Sequence, residues 1–80
     1  MEKIVYSFEK NKFEEVRFQI KEFKGYDLLD IRIWTDVKGS DQKMPTTKGL
    51  SINISHFAKL KKGIEEMEKV LRENDMLSAE

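Results

Sequence analysis

Two consecutive runs, FEEVRFQIKEF (13–23) and YDLLDIRIWT (26–35), alternate apolar and polar residues along their whole length, with only Lys24-Gly25 between them. Successive side chains of a strand point to opposite faces, so this period of two predicts an antiparallel hairpin with one buried and one wet face. Val16, Phe18 and Ile20 share the apolar face with Leu29, Ile31 and Ile33. Glu15, Arg17, Gln19, Lys21 and Phe23 share the other with Tyr26, Leu28, Asp30, Arg32 and Trp34. Gly25 supplies a positive φ if the turn needs one.

The rest of the chain is arranged around this hairpin. KIVYSFEK reads as a short first strand closed by a turn at Asn11, and DVKGSDQKMPTTKG, with the only proline, as a long polar loop. GLSINIS resumes alternation with Leu50, Ile52 and Ile54 inward, as a fourth strand. Ser55 is then expected to cap a helix, along which Phe57, Leu60, Ile64, Met67 and Leu71 follow spacings of 3, 4, 3 and 4. The expected fold is α+β: a four-stranded antiparallel sheet followed by one C-terminal helix, β-β-β-β-α. It forms a single domain over 1–80, with its core at about 4–72 and a tail frayed beyond Asn74.

Eighty residues without a cysteine bury only about 60% of their unfolded surface and have no disulfide to compensate. One helix covers only part of a sheet, and the stripe Phe57, Leu60, Ile64, Met67 and Leu71 has the form of a two-helix seam. A homodimer joined there is the expected completion. No apolar run approaches the roughly 18 residues that cross a bilayer, and MEKIVYSFEK has no signal-peptide core. The expected setting is intracellular, cytoplasmic or nucleoid-associated, or nuclear in a eukaryote, with no membrane partner.

The charges cancel, 15 against 15, but unevenly: 38–62 holds six lysines against Asp41, whereas 63–80 holds two basic residues against six acids. One basic face and one acidic tail are therefore compatible with a neutral total. The hairpin's wet face combines Phe23, Tyr26 and Trp34 with Arg17, Lys21 and Arg32. Rings that stack on unpaired bases beside cations that hold phosphates are what single-strand binding requires. Aromatics packing on cross-strand neighbours or on a partner copy fit the same spacing, and spacing alone leaves both open. Lys38, Lys43 and Lys48 add cations along the loop, which equally suit a solubilising role. His56 has no partners at metal-ligand spacing, and neither a Ser/His/Asp nor a Cys/His constellation exists. No metal, no cofactor and no catalysis are expected.

FKGYDLLDIRIW, followed by PTTKGLSI and a helix, resembles the positive cofactor four family of transcriptional coactivators. The likeness lies in Phe23-Lys24-Gly25, Leu29-Asp30-Ile31-Arg32 with Trp34, and Pro45 through Ser51, and extends over about 13–72. It implies a homodimer with strongly curved sheets that binds single-stranded DNA largely without regard to sequence. By the same resemblance Phe23 and Trp34 stack on bases, while Lys24, Arg32 and Lys48 contact phosphates or bases. Tyr26 stands where many relatives have a basic residue, Thr47 where one often precedes the K-G pair, and Ile33 where relatives often have an acid. Glu14 and Glu15 lie in a stretch that is basic in some relatives, so weaker binding with a flatter salt dependence is expected. The chain looks like a compact bacterial or phage member acting on opened DNA in transcription, replication, recombination or repair. Transcription or replication proteins are further candidate partners. A protein-interaction adaptor and an RNA-binding protein are the alternative readings.

Overall fold

The computed structural model describes residues 1–77. Strands β1 (Lys3–Glu9), β2 (Glu14–Phe23), β3 (Tyr26–Thr35) and β4 (Met44–Asn53) form one antiparallel sheet in the order β1-β2-β3-β4. A 3-10 turn, Ile54–His56, then leads into the single helix α1, Phe57–Glu73. The meander and C-terminal helix are as the alternation predicts. No helix of the described residues is long and apolar enough to cross a membrane.

The β2–β3 hairpin holds unbroken register from Glu14↔Thr35 to Phe23↔Tyr26. Its two-residue turn places both Lys24 (φ 50°) and Gly25 (φ 81°) in the left-handed region. Turns with positive φ at both central positions match the right-handed strand twist, which is why they close two-residue hairpins. Glycine adopts this conformation freely; lysine does so at a cost of about 1–2 kcal/mol. At the other end of β2, the Asn11 side chain accepts from the backbone N–H of Phe13 and of Glu14, both at 2.9 Å, and fixes the β1–β2 turn.

β4 differs from expectation. The sequence reads as loop through Gly49, whereas the strand begins at Met44 and includes Pro45. β4 is an edge strand, where proline's missing N–H costs no ladder bond. Its register also shifts: Arg32 pairs with Gly49 and Trp34 with Pro45, so Thr46–Lys48 bulge opposite Ile33. The Thr46 hydroxyl donates to the Ile33 carbonyl at 2.8 Å and accepts from Lys48 N–H at 3.2 Å, which closes the bulge. A second irregularity lies between Ile4 and Tyr6 on β1.

The helix start also differs. Asn53, not Ser55, is the capping side chain: its Oδ1 accepts from Ser55 N–H at 2.9 Å and starts the 3-10 turn, while His56 precedes α1 without a side-chain cap. At the far end, Met76 N–H donates to Leu71 O at 2.8 Å and Asp75 N–H to Arg72 O at 3.2 Å, with Asp75 at φ 53°. This pair of bonds is a Schellman closure. The remainder of the expected tail, 78–80, lies outside the described residues.

Among the described residues no apolar side chain is buried; the sole buried side chain is that of Asp30. The chain exposes 6842 Å², against about 5,000 Å² for a compact monomer of its size. Its radius of gyration is 15.0 Å, where a compact chain of this length has about 12 Å. Tyr6, Phe8 and Phe18 cluster on the apolar face with ring centroids 5.8–6.3 Å apart, yet Tyr6 and Phe8 are exposed. Phe57, Ile64 and Met67 of the helix stripe are exposed as well, as is the neighbouring Val70. The apolar layer is assembled but uncovered.

Gly49 packs directly against the β3 backbone. A Cβ there would meet Ile31 O at 2.5 Å and Arg32 Cα at 2.7 Å, both backbone atoms. Gly49→Ala is therefore expected to destabilise the fold by roughly 1–3 kcal/mol, seen as a lower urea midpoint. A Cβ at Gly63 meets nothing within 4 Å, so Gly63→Ala, measured alongside, should not lower it.

Candidate nucleic-acid interface

The face opposite the apolar layer carries all the ring and cation positions singled out on the hairpin, and register fixes their order. Phe23 and Tyr26 face each other beside the turn; Trp34 lies at the other end, opposite Glu15. Between them run the pairs Lys21↔Leu28, Gln19↔Asp30 and Arg17↔Arg32. Eight residues separate Tyr26 from Trp34, or about 27 Å of strand. Phe23 (61%) and Tyr26 (63%) are widely exposed, whereas Trp34 is half-buried.

The centre of this face is not wet. Asp30 is 1% exposed and binds the Arg32 guanidinium through Nη2 at 3.0 Å and Nε at 3.2 and 3.3 Å. Arg32 Nη1 donates to the Thr46 carbonyl at 2.9 Å. Two residues apart on one strand, Asp30 and Arg32 point the same way, so alternation alone brings the charges together. The β4 bulge then supplies a carbonyl for Nη1. A buried carboxylate is tolerated because it is paired and hydrogen-bonded.

Other cations are engaged too. Arg17 Nε donates to Glu15 Oε1 at 2.6 Å, and its guanidinium lies 4.1 Å from the centroid of the Trp34 ring. Lys43 reaches Asp36 Oδ1 at 2.6 Å and the Phe13 carbonyl at 3.2 Å, tying the 36–43 loop to the β1–β2 turn. Lys24 Nζ lies 5.3 Å from the centre of the Phe23 ring. Lys21, Lys24 and Lys48 have no side-chain ion pair or hydrogen bond among the described residues and are exposed. Beside Glu14, Asn11 and Lys10 donate to its carboxylate at 2.8 and 3.2 Å and hold its pKa below the usual range.

A cavity of about 340 Å³ opens on this face, lined by Ile4, Gln19, Lys21, Trp34 and Pro45 among others. Two of its lining residues keep a buried polar atom with no partner, Gln19 Oε1 and Trp34 Nε1. A second cavity of about 400 Å³ lies between Arg17 and Trp34 on one side and Asp41, Gln42 and Lys43 on the other. Among the described residues no group of three or more His, Asp or Glu is placed to hold a metal ion.

Sequence reasoning left Asp30 as one acid on a wet face. The D-x-R spacing on an alternating strand was the available signal for the pair. The bulge that completes it had none, because its two extra residues appear only when β4 is paired with β3.

One antiparallel sheet with a C-terminal helix, an uncovered apolar layer on one side and rings with cations on the other, defines an α+β module with two open faces. The chain belongs to the family described as transcriptional coactivator p15 (PC4), whose model matches residues 10–63. Among solved structures it is similar to a PC4 homolog from Burkholderia pseudomallei in two crystal forms. The TM-scores are 0.74 and 0.75 at 19% and 20% identity, covering 84% and 85% of this chain and 89% and 98% of the other. That likeness bears on the fold alone. It is also similar to a bacteriophage T5 homolog of the eukaryotic coactivator PC4, implicated in recombination-dependent DNA replication. There the TM-score is 0.60 and the identity 25%, covering 96% of this chain and 82% of that one. No curated protein sequence matches the chain.

The Asp30–Arg32–Thr46 seam gives a direct test. Asp30→Asn leaves the mostly buried guanidinium without its counter-charge, and breaking such a pair costs about 3–5 kcal/mol. A loss near the lower end of that range is expected in urea unfolding, since Arg32 keeps 18% exposure and the Thr46 carbonyl.

Proposed function

We propose that this protein is a homodimeric, largely sequence-independent single-stranded DNA-binding factor acting on opened DNA in transcription, replication or recombination. The observation that carries this reading is the arrangement of the polar face: exposed rings at one end, a tryptophan at the other, and the unpaired Lys21 and Lys24 near the rings. Phe23 and Tyr26 at one end of the face, and the Trp34 end at the other, serve as stacking surfaces, each stacked base contributing about 1–3 kcal/mol. Lys21, Lys24 and Lys48 neutralise phosphates, while Arg17, Arg32 and Lys43, already bound to carboxylates, act mainly by position. Membership of the PC4 family supports the reading.

A curved sheet suits a flexible single strand better than a stiff duplex. Two features support curvature here. Bulges, which bend strands, occur on both edge strands. Ile4 of β1 and Pro45 of β4 also line one cavity, although three strand spacings, about 14 Å in a flat sheet, separate their strands.

The second copy covers the apolar layer. Phe57, Leu60, Ile64, Met67 and Leu71 form its helix seam, joined by Val70, which lines a shallow groove with Met67 and Leu71. Covering a large apolar side chain contributes roughly 1.5–3 kcal/mol, so a handful of such residues suffices for a stable pair.

Competition between an unpaired oligonucleotide, its duplex and the matching RNA, read by fluorescence anisotropy across a salt series, tests the proposal. Preference for the unpaired DNA is expected. With Lys21, Lys24 and Lys48 of each chain neutralising phosphates, log affinity should fall against log salt with a slope of about −2 per chain. Equal, weak binding of single and double strands would favour the protein-adaptor reading instead.

A further inference from the structure

We infer that the stacking surface at the tryptophan end is the guanidinium plane of Arg17, presented by Glu15 and backed by Trp34, rather than the indole itself. The inference rests on the single-strand reading above and specifies how that face receives one base.

Three observations converge on it. The Arg17 guanidinium lies 4.1 Å from the Trp34 ring centroid, so that face of the indole is already taken. Glu15, opposite Trp34 in the β2–β3 register, binds Arg17 Nε at 2.6 Å, and both side chains are only 20% exposed. The guanidinium is thus held from two directions, by a carboxylate and by a ring. The cavity of about 400 Å³ beyond it is bounded by Arg17 and Trp34 and, across the gap, by Asp41, Gln42 and Lys43. That loop is in turn anchored by Lys43 on Asp36 and Phe13.

A planar, weakly hydrated guanidinium stacks on π-faces on both of its sides, which an ammonium does not. A base entering the cavity meets a plate that is charge-neutralised by Glu15 and rigid. Arg17 therefore contributes contact area and orientation, and Glu15 withholds its charge from the phosphates. The acid that stands out of place on a nucleic-acid face thereby acquires a role as a positioning residue.

Trp34 is the sole tryptophan, so its emission reports on what touches the indole. The experiment titrates the full chain with an oligothymidylate, reading anisotropy of a labelled strand and, separately, tryptophan emission with an unlabelled one. For the wild type, binding with nearly unchanged emission is expected. Arg17→Lys keeps the charge and loses the plane, so affinity should drop about five- to tenfold with an unaltered salt slope. Arg17→Ala should bare the indole and make its emission fall on binding. Glu15→Gln frees the guanidinium for a phosphate and should steepen the salt slope by about 0.7.

Strong quenching in the wild type, or Arg17→Lys binding as wild type does, would overturn the inference while leaving single-strand binding intact. A wild type that fails to bind the oligothymidylate would remove the single-strand reading itself, and the plate with it.

Discussion

The rest of the structure depends on an apolar layer that the chain does not cover. Val16, Phe18, Ile20, Leu29, Ile31 and Ile33 project from one side of the sheet as alternation demands, but none is buried. A single 17-residue helix cannot shield a four-stranded sheet, and α1 leaves its own stripe open as well. Hydrophobic burial is the main favourable term in folding, so such a layer must meet another surface to hold a chain this short together. A partner docked on the apolar side would leave the opposite face open.

The opposite face is organised by charge rather than by packing. Asp30 and Arg32 form its buried centre, Thr46 completes their hydrogen bonding, and Gly49 lets β4 come close enough for this to happen. Glu15 and Asp36 similarly occupy Arg17 and Lys43. Cations of the hairpin and loop thus divide into two groups: Arg17, Arg32 and Lys43 are held by carboxylates, while Lys21, Lys24, Lys38 and Lys48 have no side-chain partner among the described residues.

Much of this was legible in the amino-acid order. A period of two over two ten-residue strands fixes which residues share a face, and the hairpin turn fixes register, so Phe23, Tyr26, Arg32 and Trp34 come together without further information. The 3-4 spacing of the helix stripe is equally direct. What sequence did not show depends on pairing between strands distant in the chain. Pro45 suggested a loop because its strand is an edge, and edges are not visible before the sheet order is known. Asn53 displaced Ser55 as the cap because β4 stops at Asn53, two residues short of the expected strand end, and the 3-10 turn begins there. The stacking of Arg17 on Trp34 is a diagonal contact across strands, which face assignment permits but does not specify.

The central proposal is that a second copy of the chain completes the apolar layer. The urea unfolding midpoint measured by circular dichroism over a wide range of protein concentration tests it most directly. For a pair that folds as it associates, the midpoint must rise steadily with concentration. A midpoint independent of concentration, in a chain that sediments as a monomer, would contradict the account.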